Sequence, residues 1–166
     1  MFRKISDFVS SWQEESDATL KVLSALSDHS LTLRPSEAGR SVGEIAFHIV
    51  VSVGEMMGQL GIQLPCPSED AAIPSKVTDL TEPYRIAAIA LREFISQHWT
   101  EETLLVEKNM YGESWSNGKT LLALILHQTH HRAQLTVLMR QLGLRVPGVY
   151  GPAKEEWAAM HMPSPR

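Results

Sequence analysis

Seven histidines in 166 residues would be ordinary if they were scattered, but His127, His130 and His131 fall within five residues of one apolar run. A helix turns about 100° per residue. That sets His127 and His131 about 40° apart on one face and rotates His130 about 100° away from His131. Leu124, Leu135, Leu138 and Leu142 lie within about 40° of His131, so the pair is expected in the middle of the stripe that faces the core. Burying an imidazole where leucine would be favourable carries a cost that some partner must offset. Residues four apart have Cβ atoms about 5–6 Å apart, which lets both rings reach one metal ion through bonds of about 2.0–2.1 Å. The same spacing also suits two core histidines hydrogen-bonded to carbonyls or carboxylates. Spacing alone leaves both readings open.

Two imidazoles make an incomplete metal site, and His29, His48, His98 and His161 are the candidates for a third ligand. His48 is the one placed mid-helix. Glu44, Ser52, Glu55 and Gln59 lie within about 40° of it, so this polar row is either a solvated face or one wall of a wet pocket. Glu55, about two turns beyond His48, is the candidate general base or partner of a ligand, against the alternative of a surface carboxylate. Glu44 is better explained as a capping partner of Ser41. Gln128 occupies the position where a zincin protease carries its catalytic glutamate, which disfavours that chemistry. Gln134 could hydrogen-bond near the site or be solvated, and Arg132, about 100° from His131, is expected outside the metal pocket. Cys66 is the single cysteine, so no internal disulfide forms; between two prolines it is expected in an exposed loop, without a catalytic role.

Four helices must position these residues. The first, over 3–26, repeats apolar side chains at Ile5, Phe8, Val9, Trp12, Leu20, Leu23 and Leu26. The second, over 41–60, opens with "SVGE", a capping box of Ser41 and Glu44, and ends at Gly61. A Pro-rich link with Pro65, Pro67 and Pro74 follows, long enough to cross a bundle. The third helix is predicted over 82–98, with Thr81 as cap and Pro83 in its first turn. The segment "TEETLLVEKNMYGESWSNG" is ambiguous, its "LLVEKNM" extended or helical. The fourth helix runs over 117–142 and is closed by Gly143. Residues Lys154 to Met160 could form a short last helix. The fold class is therefore all-α, a four-helix bundle with a long crossover between helices 2 and 3, in a single domain over 1–166.

Composition narrows the function. Hydrophobic residues at 43% and charged ones at 20% are values of a soluble globular chain, and the net charge of −4 disfavours nucleic acid as a partner. No signal peptide and no bilayer-spanning run is visible, so a cytoplasmic location and no membrane partner are expected.

The stretches "SVGEIAFHIV", "WSNGKTLLALILHQTHHRAQL" and "LRVPGVYGP", in this order along nearly the whole chain, resemble the DinB/YfiT-like superfamily. The resemblance implies a four-helix bundle with a long crossover after the second helix. It also implies one divalent metal ion, held by a histidine of the second helix and an H-x-x-x-H pair of the fourth. Matched residue by residue, those ligands are His48, His127 and His131. Three neutral imidazoles would leave a coordination position open, and such ligands suit zinc or nickel, with copper and iron also compatible. Characterised relatives include transferases that use low-molecular-weight thiols, and others are classed as metal-dependent hydrolases. The implied function is a thiol S-transferase acting on a small-molecule substrate. A hydrolase and a non-catalytic bundle with a structural metal are the alternatives, and a homodimer is the implied assembly.

Overall fold

In a computed structural model, residues 1–163 are described. Helices α1 (Ile5–Leu23), α2 (Val42–Gln59), α3 (Thr78–His98) and α4 (Asn117–Gln141) form the bundle. A two-stranded hairpin, β1 (Glu107–Met110) and β2 (Glu113–Ser116), stands before α4. Helix α1 packs against α3 and α4, and α2 packs against the same two, so α1 and α2 face each other across the bundle. Phe8, Trp12, Ile49, Met57, Tyr84, Leu91, Leu121 and Leu135 are fully buried between them. The indole N–H of Trp12 donates to the Ala88 carbonyl at 3.0 Å, which satisfies the polar atom of a fully buried side chain.

Helix α2 starts as its sequence predicts. The Ser41 hydroxyl accepts from the Glu44 N–H at 3.1 Å, and the Glu44 carboxylate accepts from the Ser41 N–H, closing the capping box. Gly61 ends the helix at φ +85°, a left-handed conformation that glycine adopts without strain. Residues 60–77 then run to α3 without a helix or strand, the long crossover expected from the prolines.

Helix α3 begins at Thr78, about a turn earlier than Thr81, and Thr81 is not its cap. No side chain caps it; instead the Val77 N–H donates to Asp28 Oδ1 at 2.8 Å, a partner 49 residues away that no local pattern reveals. Pro83 consequently lies inside the helix rather than in its first turn, and forfeits one backbone hydrogen bond there.

The ambiguous segment resolves into a short 3-10 turn at Thr103–Leu105 and the hairpin, so the bundle carries a small β element. Tyr111 and Gly112, at φ +55° and +88°, form its two-residue turn, which needs positive φ at both positions. The stretch "WSNG" that follows is a local device. Ser116 caps α4 by accepting from the Lys119 N–H at 3.2 Å, and Asn117 donates to the Thr103 carbonyl at 2.9 Å. Gly118 lies so close to the N-terminal chain that a Cβ there would sit 2.5 Å from the Phe2 carbonyl oxygen.

The tail does not form the helix expected over Lys154 to Met160. Turns occupy it, with one 3-10 turn at Ala158–Met160. It is instead anchored by polar contacts: Lys21 Nζ on α1 donates to the Gly148 carbonyl at 2.7 Å, Arg140 on α4 pairs with Glu155, and within the tail the Gly148 N–H donates to Glu156 at 3.1 Å. Tyr150 reaches both oxygens of Glu15 at 2.7 Å. No helix among the described residues is long and apolar enough to cross a membrane.

Candidate metal centre

His48 on α2 and His127 and His131 on α4 converge. The Nε2 atom of His131 lies 3.2 Å from Nε2 of His48 and 3.2 Å from Nε2 of His127. The three residues offer ligand atoms that all lie within 4.8 Å of one another, and they could hold a metal ion. A tetrahedral centre with bonds of about 2.0–2.1 Å spaces its nitrogens about 3.3–3.4 Å apart, so the two measured separations fit such a donor set. His29, His98 and His161 are exposed and do not join the cluster. His130 is exposed as well, and no ligand group includes it.

The rings are held as neutral donors. Burial pushes the pKa of His127 down to about 4, with the neighbouring His131, His48 and His130 acting the same way. Burial is also the main cause of lowering at His48 and His131, and the Arg40 charge lowers both further, while Glu55 opposes at His48 and Gln134 at His131. An uncharged imidazole is the ligating form. Gln134 Oε1 lies 2.8 Å from His131 Nδ1, and the other end of the same amide, Nε2, lies 3.0 Å from His130 Nε2. An amide oxygen only accepts, so the His131 proton belongs on Nδ1 and the lone pair of Nε2 points into the cluster. Gln134, left open as a solvated residue in the sequence, orients His131.

The histidine pair does not sit in the middle of the core stripe. Fully or nearly buried positions on α4 include Leu121, Leu124, Ile125, Gln128, Arg132, Leu135, Leu138 and Met139, a face whose centre lies about 60° from His131. The histidines flank it and are half-buried. Leu124 and Leu138 are buried at the edge of this face nearest the histidines, and the sequence reading centred the stripe there because two polar residues, Gln128 and Arg132, occupy its middle. Gln128 is completely buried, and its amide N–H groups donate to the Ile49 carbonyl at 2.9 Å and to Ser52 Oγ at 3.1 Å. This fastens α4 to α2 one residue from His127 on one side and one residue from His48 on the other. Arg132 lies outside the cluster, as expected, but as an interior ion pair rather than a surface group. Its guanidinium meets Glu15 at 2.6 Å, donates to the Glu15 carbonyl at 2.8 Å and to Thr19 at 3.0 Å, and touches the Tyr150 hydroxyl at 2.6 Å. Burial alone would raise the Glu15 pKa, but the hydrogen bonds from Tyr150, Arg132 and Thr129 outweigh it and hold the carboxyl below its ordinary value.

The polar row on α2 is neither a fully solvated face nor a buried wall. Ser52 is buried under Gln128, Gln59 is exposed, and His48, Glu44 and Glu55 are half-covered. Glu55 accepts from Gln59 at 3.2 Å and from the Tyr111 hydroxyl at 2.7 Å, so the hairpin tip reaches back to α2. Tyr111 carried no signal in the sequence, since the contact spans 56 residues. Cys66 is not exposed in its loop. Its Sγ would lie 3.0 Å from a Cβ at Gly54, and burial pushes the thiol up to about 11, which removes it as a nucleophile at neutral pH. Two open clefts adjoin the cluster. One of about 340 Å³ is lined by His48, Phe47, Val51 and Arg40, and one of about 440 Å³ by His130, Gln134, Val137 and Arg40.

Comparison with known proteins bears on the family and the fold. Residues 1–165 match the model of the DinB family. The chain is 40% identical over 166 residues, 100% of its own length and 99% of the other's, to YrdA, an uncharacterized protein of Bacillus subtilis strain 168. It resembles the crystal structure of a DinB-like protein from Bacillus cereus ATCC 10987 with a TM-score of 0.86 and 35% identity, covering 90% of this chain and 100% of that one. A DinB-like protein of Bacillus subtilis, YjoA, matches with a TM-score of 0.66 over 86% of this chain and 97% of that one, at 19% identity, and supports the fold alone.

Proposed function

The chain belongs to the DinB family, and on that premise we propose that it is a divalent-metal-dependent thiol S-transferase whose ion is held by His48, His127 and His131. The observation that carries the reading is the convergence of three neutral imidazole nitrogens at a half-exposed place flanked by two clefts. A structural ion sealed within the bundle would be expected under full cover with a fourth protein ligand, and among the described residues those grouped to hold the ion number three. The chemistry a divalent ion supplies at such a site is acidity, by which a thiol loses its proton to become the nucleophilic thiolate, or a water does so in the hydrolytic alternative.

The chain's own residues supply the rest. Gln134 keeps the His131 ring turned inward, and Gln128 keeps α2 and α4 at the separation that the three nitrogens need. Glu55 is proposed as the group that takes the thiol proton, its carboxylate kept in place by Tyr111 and Gln59. The sulfur then forms its bond to an electrophilic carbon, and the group displaced leaves with the bonding electron pair. Zinc or nickel is the proposed ion, from the imidazole donor set.

The test begins with elemental analysis of protein made without an affinity tag, where about one ion per chain is expected for a site of this donor set. Metal-loaded protein is then screened with several low-molecular-weight thiols against alkyl halide and epoxide electrophiles. Thioether product that disappears in the His131→Ala variant supports the reading. Absence of bound metal, or of product with every thiol, overturns it.

A further inference from the structure

Arg40 is an unspent charge at the mouth of the site. It lines both clefts beside the histidine cluster, the one that contains His48 and the one that contains His130 and Gln134. Among the described residues it makes no ion pair and no side-chain hydrogen bond, whereas its neighbour Arg34 pairs with Glu44 at 3.6 Å. Glu44 feels the Arg40 charge but pairs with Arg34 instead, so on a chain of net charge −4 this guanidinium between two clefts is a place where an anion can be recognised without first breaking a close ion pair.

The two clefts differ in what they offer beside it. The one with His48 is also lined by the carboxylates of Glu44 and Glu69, which repel an anion. The larger one, of about 440 Å³, carries no acidic side chain and is walled by Pro35, Ile45, Ala133, Val137 and Leu138. Val137 is 57% exposed there, an apolar side chain left without a partner on α4, two turns from His130.

We propose that Arg40 and this larger cleft bind the substrate, a small molecule with a carboxylate or comparable anionic group next to an aliphatic or aromatic body. The anion pairs with Arg40, and the apolar body lies on Ile45, Val137 and Leu138 beside the histidine cluster. The assignment rests on the transferase reading for its meaning, but the binding itself uses no metal ligand.

Hexanoate, hexan-1-ol and hexylamine serve as probes, with binding followed by calorimetry and by NMR shifts of Val137 and Ile45 on metal-loaded protein. Hexanoate is expected to bind about tenfold more tightly than either of the others, the low end of what one charge-assisted hydrogen-bonded pair confers at an exposed position. Arg40→Ala should erase that preference, and Arg40→Lys should keep part of it. Val137→Ser, at an exposed position that should not disturb folding, should weaken hexanoate and leave acetate little changed. The same titrations on chelated protein separate the two claims. Hexanoate binding that survives chelation while no thiol transfer is found leaves the inference standing and the transferase reading fallen. Equal affinity for hexanoate in wild type and Arg40→Ala, a preference for hexylamine, or no hexanoate binding to folded wild type overturns the inference.

Discussion

Removing the His131 imidazole is the sharpest perturbation, because His131 is the ring that both other ligands touch, at 3.2 Å each. A complete structural zinc site contributes about 10–16 kcal/mol of binding, or about 2.5–4 kcal/mol for each of four ligands. Loss of one ligand therefore costs about two to three orders of magnitude in affinity. Ion binding stabilises the folded state by about 2.7 kcal/mol when free metal is at 100 times Kd. For a chain of this length each kcal/mol moves Tm by about 2–4 °C, so wild type should gain about 5–11 °C over its chelated form. His131→Ala at the same free metal should keep at most about 0.4 kcal/mol of that, or about 1 °C. Gln134→Ala, which releases the His131 Nδ1–H, should lose about 10- to 100-fold and fall between the two. His130→Ala should behave as wild type. The assay is a thermal melt of each variant with metal and with chelator, each variant serving as its own reference. If His130→Ala lost the metal-dependent shift as fully as His131→Ala, the geometric assignment of the ligands would be refuted.

Chelated protein should lose stability on acidification. The unfolded His127 titrates near 6.5 and the folded one at about 4, so between those values the unfolded chain holds the extra proton and stability falls with pH. With the ring half exposed, the loss from pH 7 to 4 attributable to it should be about 1–2 kcal/mol, and urea titrations of His127→Phe should show a flatter slope across that window. Arg132→Ala, which strands Glu15 beside a guanidinium-sized void, should destabilise by about 3–4 kcal/mol while leaving metal stoichiometry unchanged; an effect below about 1 kcal/mol would mean that the pair is not buried in solution. Gln128→Glu restores the zincin pattern but buries a carboxylate against the Ile49 carbonyl, so denaturant melts should show about 2 kcal/mol or more of lost stability and peptide substrates should remain uncut.

What the residues determine by themselves is whatever depends on neighbours along the chain. The four helices, the capping box of Ser41 and Glu44 and the glycine stop at Gly61 are local, and each lies within about three residues of where periodicity and capping set it, apart from the start of α3. The pairing of His127 with His131 is local for the same reason. That His48 is the third partner came from resemblance to a family, since no helical period links residues 83 apart; packing of α2 against α4 is what brings them together. The centre of the α4 stripe also belongs to tertiary structure. Nothing in the sequence marks Gln128 and Arg132 as interior residues, but partners on α2 and α1 satisfy them there and turn the helix so that the histidines lie at its rim. The hairpin segment stayed ambiguous because its four-residue strands are mostly polar and gain their pairing only from each other and the start of α4. The start of α3 depended on Asp28, and the hold of Tyr111 on Glu55 on a fold-back across 56 residues. In each case the deciding partner is distant in sequence, and only the folded chain pays the entropy that brings such partners within hydrogen-bond reach.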